Sequence, residues 1–590
     1  MRMRRIVPWG VLGLVTAMLF SPAVSFGQSN AAGGAIFGKV TADRDYAISI
    51  ASGEHIPSLY AVRVRANEVA RHIVYTIFTQ KGQYHFYNLP AGSYEISALQ
   101  DNFESTVTKV DLKVGDSKTA DVALTAKDAK PRAQLVDYDT LFPPSPARDI
   151  LRKECMGCHG HEHIPWQRMG GRTEDTWRGA VARMFDLHGT NGESDVPQVN
   201  PDGVPVEKRE AIIKYFSQIF PVDGPRRDLK LDDIKLDENA LSHAIYTEYE
   251  LPPPRPGKTE ANMPGHDVVP SKDGSTVYVA EMSMDVVQAM DTHKLEYPDR
   301  YHAFALPNPD EGKRELEPHG ITIAKDGHIY TAEIGDSLIG EIDPETGAVH
   351  QYPTPLRGTP HTIKADSKGN VWFTAMQGQS RVGRLDAVTK KITEYDPAPA
   401  YKNAHYYGMT VDQQDRVWAV GMTAHIVVGY DPKTDKWSVY PTPTQPSGPR
   451  RPTVDSKGNV WFSEHIAGAI GMLDPKTGKI TEYKDPYHYS GEYECYADSQ
   501  DNIWVTLRSY GALAKFDPKT KTFTYFPLPF QDLMGRIHPG NHGTLLGGGY
   551  PPKIEQDSQG TIWYAGLGLK TVSSFKPNGN VPTPLSASNK

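Results

Sequence analysis

Two short stretches of the chain hold side chains able to do chemistry. The first is CMGCH at 155–159, where Cys155 and Cys158 stand on either side of two residues and His159 follows at once. Paired thiols at that spacing add across the two vinyl groups of a heme, and the next residue then turns its imidazole to the iron. A zinc site would need a second ligand pair, and the sequence offers none beside it. The motif predicts a covalently bound heme c with His159 on the iron. The second stretch is ELEPHGITIAKDGHIYTAE at 315–333, where Glu317, His319 and Glu333 bracket a strand–turn–strand pattern. Two carboxylates and an imidazole around one hairpin are either solvated loop residues or the lining of a site, and the elements around them decide.

The segment leading into the first motif, SPARDILRKECMGCH, places Ser145 as a helix N-cap and Pro146 at the first helical position. Downstream, VEKREAIIKYFSQIF (206–220) sets Ile212, Ile213, Tyr215, Phe216 and Ile219 on one helical face. Together these resemble a compact, all-α cytochrome c domain over 140–222. Met169, Met184 and His188 are the candidates for the sixth iron ligand, His161 and His163 being too close to the motif. The helical run from Trp177 to Phe185 resembles the W-x-x-x-V-x-x-M stretch of small exported cytochromes, whose Met is axial, and this resemblance selects Met184. Thioether ligation raises the potential and suits electron transfer.

The remaining chain must house these sites. At 590 residues it is too long for one core. A formal net charge of −8 with no long basic run excludes nucleic acid as a partner. The opening MRMRRIVPWGVLGLVTAMLFSPAVSFGQS has three arginines, a short apolar run and small residues, the pattern of a signal peptide over 1–27. A periplasmic or secreted protein is expected, with no transmembrane span in the mature chain. Three cysteines leave Cys495 as a spare, buried thiol. Residues 35–125 alternate apolar and polar as strands do, for example AVRVRA (61–66) and SYEISAL (93–99). The stretch TQKGQYHFYNLPAGSYEI resembles the T-x-x-G-x-Y-x-F-x-x-L-P-x-G-x-Y pattern of carboxypeptidase regulatory-like β-sandwiches, which implies an accessory, non-catalytic domain. The charged run at 125–134 reads as a linker.

From about 240 one unit recurs: a turn such as D-S-K-G, an aromatic strand, a G-x-(I/L/F)-D-P-like strand and a T-E-Y-x-x-P-like strand. Seven turns end at Gly274, Gly327, Gly369, Asp415, Gly458, Asp501 and Gly560, spaced 53, 42, 46, 43, 43 and 59 apart. Four-strand repeats of this period predict a seven-bladed β-propeller over 240–580. The last unit lacks its T-E-Y strand, and the orphan YTEYELP (246–252) precedes the first, so this segment is expected to close the ring. Eight residues before each anchor stand His266, His319, His361, Tyr407, Arg450, Tyr493 and Pro552. Polar and varied, they are expected to line the central funnel. Six residues after the anchors stand Glu333, Ala375, Gly421, Glu464, Leu507 and Gly566, with Glu281 one place later in the first unit. The fold class is thus multidomain and mainly β: sandwich, small all-α cytochrome c domain and seven-bladed propeller.

The repeated P-H-x-I…D-G-x-(V/I)-W-F-(T/S)-E phrasing resembles the virginiamycin B lyase family, which linearises streptogramins. That resemblance implies a magnesium-dependent site made of His266, Glu317, His319 and Glu333. The Tyr330–Thr331–Ala332 stretch departs from the family's W-F-T, and a longer interval separates the first two units. In such a site Glu317 and Glu333 would hold magnesium, the cation would acidify a Cα–H beside an ester carbonyl, His319 would remove that proton and His266 would assist the leaving oxygen. Three functions follow: electron transfer from an exported substrate to the heme and on to a redox partner protein, carbon–oxygen lysis, or ligand binding without catalysis. The small-molecule substrate is not written in the sequence.

Overall fold

The computed structural model describes residues 33–45, 59–100, 103–127, 134–156, 171–185, 205–225, 227–253, 265–308, 315–376, 380–401, 404–529, 551–566 and 570–581. The expected signal peptide lies outside them. The protein is mainly β, and its largest part is a propeller. Six four-stranded antiparallel sheets follow one another from Val268 to Pro527, and a seventh is begun by the strands Ile554–Gln556, Ile562–Ala565 and Thr571–Lys576. The innermost strands of blades 1 to 7 are Val268–Pro270, Pro318–Ile323, Pro360–Ala365, Tyr406–Val411, Pro449–Val454, Glu492–Ala497 and Ile554–Gln556.

The repeated D-S-K-G-N-V-W phrase is explained by its hydrogen bonds. In blade 3, Asp366 accepts from the backbone of Lys368 and Asn370, fixing the turn, and from the indole Nε1 of Trp372 at 3.0 Å. Asp412–Trp418, Asp455–Trp461, Asp498–Trp504 and Asp557–Trp563 repeat this latch at 2.8–2.9 Å. One carboxylate thus ties the turn to the core of its own blade. The turn's last residue needs a left-handed backbone, met by Gly327, Gly369, Gly458 and Gly560 at φ of 82–88°. In blades 4 and 6 Asp415 and Asp501 take this place at φ 59° and 62°. Each of these carboxylates accepts from the N–H and hydroxyl of a serine in the preceding blade, Ser367 and Ser456, which offsets the strain.

The ring closes as the sequence predicts, through Ile245–Glu250, which pairs antiparallel with Thr571–Lys576. The same strand also pairs, on its other edge, with Ile73–Phe78 of the N-terminal region. Blade 7 therefore continues into an eight-stranded sheet that runs on through Arg63–Glu68, Gly92–Leu99 and Thr108–Leu112. A second sheet containing Gly34–Ala42, Gln83–Leu89 and Val122–Ala126 covers it, and the two enclose Ile36, Val64, Ile77, Phe86 and Ile96. The N-terminal unit is thus joined by backbone hydrogen bonds to the propeller's closing strand.

Between them in sequence lie the helices Tyr138–Leu141, Pro146–Glu154, Glu174–Phe185 and Val206–Ile219. Ser145 caps the second through the N–H of Arg148 at 3.1 Å, and Pro146 opens it, as expected. Ile212, Ile213, Tyr215, Phe216 and Ile219 form the buried face of the last. This face belongs to one apolar core that extends into blades 5 and 6. Tyr138 stacks on Tyr489 at 5.1 Å, the N–H of Lys235 donates to the Tyr487 hydroxyl at 2.7 Å, and that of Asp232 to Tyr510 at 3.1 Å. Tyr487 and Tyr489 lie in the connection leading to Glu492–Ala497, so the helices sit at the end of the channel where inner strands begin.

Candidate functional site

Alternation along a strand would send only every second side chain to the channel. The inner strands of blades 2 to 6 break this rule with a bulge. In blade 2, Pro318 pairs with Glu333 and Ile321 with Thr331, so His319 and Gly320 together oppose Ala332. The same two-against-one register sets His361 and Thr362, Tyr407 and Gly408, Arg450 and Arg451, and Tyr493 and Glu494. The opposing hydroxyl braces it: Thr374 accepts from the N–H of Thr362 at 3.1 Å and donates to Tyr407 O of the next blade at 2.7 Å. Ser463 does the same between Arg451 and Tyr493 O. This is the physical reason for the T/S in the W-F-(T/S) phrase, and Ala332 in blade 2 has no hydroxyl to offer.

The first residue of each pair forms a belt around the channel. His266 lies against His319 with ring centroids 3.6 Å apart, His319 against His361 at 4.0 Å, and His361 against Tyr407 at 4.0 Å. Arg450 sits over both Tyr407 and Tyr493 at 4.8 Å, and the two tyrosine hydroxyls share a hydrogen bond. Six of the seven aligned positions thus meet, all buried. Burial holds the histidines below the usual imidazole range, so they are neutral near pH 7. His266 Nδ1 lies 2.9 Å from Asp267 Oδ1. Burial works against the Asp267 charge, but Arg451 and His266 override it and keep the carboxyl ionised. An ionised acceptor fixes the proton on Nδ1 and leaves Nε2 of His266 with its lone pair. His319 Nδ1 has no hydrogen-bond partner. A neutral imidazole pair in van der Waals contact, one member oriented by a carboxylate, is suited to taking and returning a proton.

The second residue of the pair in blades 5 and 6, together with Asp267 and Lys553 at the same aligned place in blades 1 and 7, builds a charged layer that the sequence reading missed. Arg451 of blade 5 reaches Asp267 of blade 1 at 3.2 Å and faces Glu494 of blade 6 at 3.5 Å. One turn of strand further on, Lys364 of blade 3 pairs with Glu555 of blade 7, and Lys553 donates to Ile321 O of blade 2 at 2.9 Å. The signal was present one place along the same alignment, where Asp267, Arg451, Glu494 and Lys553 replace the expected alternation into the blade.

Glu317 and Glu333 have other surroundings. Glu333 accepts from Gln351 Nε2 at 2.6 Å, and its Oε1 lacks a hydrogen-bond partner. Burial, reinforced by Asp285 and Asp336, pushes it up to about 8. Glu317, at φ 52°, is pushed up to about 7 by burial, Glu315 and Asp285. Such carboxylic acids become good ligands once a cation offsets their repulsion, and their oxygens fit magnesium. Among the described residues, the metal-competent cluster at the belt is instead His266, Asp267 and His319, with ligand atoms within 4.8 Å. Two imidazoles and a carboxylate already held by Arg451 do not make a magnesium site. Glu281 and Glu464 end the matching strands of blades 1 and 5, also buried, and burial pushes Glu464 up to about 9.

Of the heme motif, Cys155 closes the helix Pro146–Glu154 with its N–H on Leu151 O at 2.9 Å, half-buried, and Met156 is buried. Cys158, His159, His161, His163, Met169 and His188 lie outside the described residues, as does the side chain of Met184 on the helix Glu174–Phe185. Cys495 is a buried free thiol in blade 6, with burial raising it far above the usual range. No helix among the described residues is long and apolar enough to cross a membrane.

Residues 294–428 match the virginiamycin B lyase family. The match runs from the outer edge of blade 1 into blade 4 and holds Glu317, His319, Glu333, His361 and Tyr407. Solved structures of similar fold include virginiamycin B lyase from Staphylococcus aureus, 21% identical over 56% of this chain and 99% of that one, with a TM-score of 0.47. YCF48 from Cyanidioschyzon merolae is 12% identical over 56% of this chain and 99% of its own, at 0.42. Hydrazine synthase from Kuenenia stuttgartiensis is 13% identical over 54% and 97%, at 0.41. No curated protein matches the chain. The C-terminal part of the protein is a virginiamycin B lyase-like propeller.

Proposed function

We propose that this chain is an exported c-type heme protein whose propeller holds a small-molecule substrate at the histidine belt, removes a proton from it and yields its electrons to the heme domain. One observation carries the reading. The helices that present Cys155 share a continuous apolar core with blades 5 and 6 at the channel end ringed by His266, His319 and His361. Proton-accepting groups and Cys155 thus belong to one body.

Cys155, Cys158 and His159 would hold the heme, with Met184 as the sixth ligand, and the bound group would supply a one-electron acceptor. His319 accepts the substrate proton. His266, oriented by Asp267, takes the proton onward or returns it to a leaving oxygen. Arg450 between its tyrosines places fixed positive charge at the wall where negative charge develops. The test is anaerobic mixing of the purified, heme-loaded protein with exported-compartment small molecules while the heme bands are watched. Turnover is expected to reduce the heme, and His319→Gln is expected to abolish reduction while leaving the heme spectrum and potential unchanged. A maturation-competent preparation without a heme c spectrum refutes the reading.

A second reading, a magnesium-dependent carbon–oxygen lyase, is favoured by the family match over residues 294–428 and by the acidic pair Glu317 and Glu333. Turnover that needs magnesium and leaves the heme redox state untouched would select it. Binding without catalysis is the outcome in which a ligand saturates the belt and neither change follows.

A further inference from the structure

Beside the Asp267–Arg451 layer lies a cavity of about 340 Å³, lined by inner-strand residues and reaching Gln413 in the turn ending the inner strand of blade 4. Lys364, Lys553, Arg451, Glu494 and Glu555 line it. Two lysines and a guanidinium therefore line one cavity, and two of those cations claim the same carboxylate. Lys364 Nζ is the nearer partner of Glu555, and Lys553 Nζ is second at 3.3 Å. Among the described residues, the acceptors at Lys553 Nζ are Ile321 O at 2.9 Å and that Glu555 oxygen. An ammonium brings three N–H donors, a neutral amine two and a lone pair. Two acceptors match the neutral amine, and the lone pair is left for the cavity.

We propose that Lys553 is an amine nucleophile that captures a small 2-oxo acid or related carbonyl compound as an imine in this cavity. The site is independent of the belt chemistry. The Lys553 nitrogen adds to the carbonyl carbon, and the carbonyl π pair moves to oxygen, which takes a proton from the Glu494 carboxyl. The nitrogen then loses a proton to Glu494, which passes it to the hydroxyl so that water leaves as the nitrogen lone pair forms the C=N bond; the remaining N–H proton returns to Glu494, so that amine plus carbonyl gives imine plus water with no redox change. Lys364, held as a cation by Glu555, is placed to face the substrate carboxylate. The groups around the amine agree with these roles. Burial and then Lys364 hold Lys553 below the usual lysine range, with Arg451 adding to them and Glu555 and Asp267 opposing. Burial outweighs Arg451 and pushes Glu494 up to about 8, so it carries its proton at neutral pH. A desolvated lysine beside other cations is a recognised way to make an amine nucleophilic.

The experiment treats the full-length protein with pyruvate and cyanoborohydride, digests it and maps the reductively linked adduct by mass spectrometry. One adduct on Lys553 is expected, formed even at pH values where exposed lysines are protonated and unlabelled, and absent from Lys553→Met. Glu494→Gln is expected to slow its formation by about a hundredfold. If Lys553→Met does not fold, the peptide map of the unaltered protein still decides. An unmodified Lys553, or labelling spread over exposed lysines with Lys553 no faster than the rest, overturns the proposal.

Discussion

Tyr246 is the residue through which two domains should fail together. Its strand pairs with blade 7 on one edge and the N-terminal sheet on the other, and its ring lies 4.6 Å from Phe575 and 6.0 Å from Phe78. The side chain is fully buried. Truncating a buried aromatic to alanine costs about 3–5 kcal/mol, the lost transfer energy plus the cavity left behind. Divided by the unfolding entropy of each unit, that corresponds to a fall in Tm of several degrees for the propeller and a larger one for the smaller N-terminal unit. Because backbone pairing survives the substitution, the loss should appear in calorimetry in both the propeller transition and that of the N-terminal unit. Phe86→Ala, confined to the sandwich core, should move only the latter. Tyr246→Phe separates packing from polarity. The hydroxyl has no hydrogen-bond partner, so its removal should be neutral or mildly stabilising. If Tyr246→Ala shifts the propeller alone and leaves the N-terminal transition in place, the shared strand is a contact rather than a structural joint, and the reasoning fails.

Arg451→Met should destabilise the propeller by about 3–5 kcal/mol, since it strands the buried, ionised Asp267 without its cation. Adding Asp267→Asn should restore part of that loss in denaturant titrations, and strictly additive losses would refute the coupling. Glu333 gives a pH dependence of opposite sign to that of a salt-bridged carboxylate. Its folded pKa is raised from 4.5 to about 8, mainly by burial. Below 4.5 both states carry the proton; above it the unfolded state releases a proton that the folded state keeps. Stability should therefore fall between pH 5 and 8 by up to about 1.4 kcal/mol per pH unit. Glu333→Gln should flatten that slope, and an unchanged slope would assign it to other groups. Magnesium held by Glu317 and Glu333 would raise stability at pH 8 in the unaltered protein and not in this variant.

The propeller was legible because its repeats are local. A turn carboxylate and an indole six residues on are close in sequence, so Asp366–Trp372 and its four counterparts write themselves into the text as a phrase. Closure by 246–252 was legible for the same reason, as a T-E-Y strand missing at one end and present at the other. The pairing of that strand with Ile73–Phe78 was not. An edge strand carries no mark of what lies on its free side, and nothing in Ile73–Phe78 distinguishes a partner 170 residues away from another strand of its own sheet. The packing of the helices onto blades 5 and 6 was hidden likewise. Tyr138, Tyr487, Tyr489 and Tyr510 read as ordinary aromatic residues until the fold brings them together.

The belt and the charged layer beneath it separate what repetition can reveal from what it conceals. Positions that serve the blade itself recur: the left-handed turn residue in all seven, the latch carboxylate in blades 3 to 7, the bracing hydroxyl in blades 3, 5 and 6. Positions that the channel needs once differ from blade to blade, and at the first bulge residue this variation marked His266, His319, His361, Tyr407, Arg450 and Tyr493 as a lining. The same logic should have marked Asp267, Arg451, Glu494 and Lys553, but strict alternation sends the next residue away from the channel. In blades 5 and 6 the bulge turns both inward, and a bulge leaves no residue type of its own in the inner strand. Its trace is on the neighbouring strand, in Thr374, Ser463 and Thr506, whose hydroxyls accept the N–H groups of Thr362, Arg451 and Glu494. Read with that rule, the hydroxyl of a W-F-(T/S) phrase announces two channel-facing residues on the strand before it. Blade 2 has Ala332 in place of the hydroxyl and Gly320 as the second bulge residue, so only His319 enters the channel there. That gap in the charged layer is where Lys553 reaches across to Ile321 O.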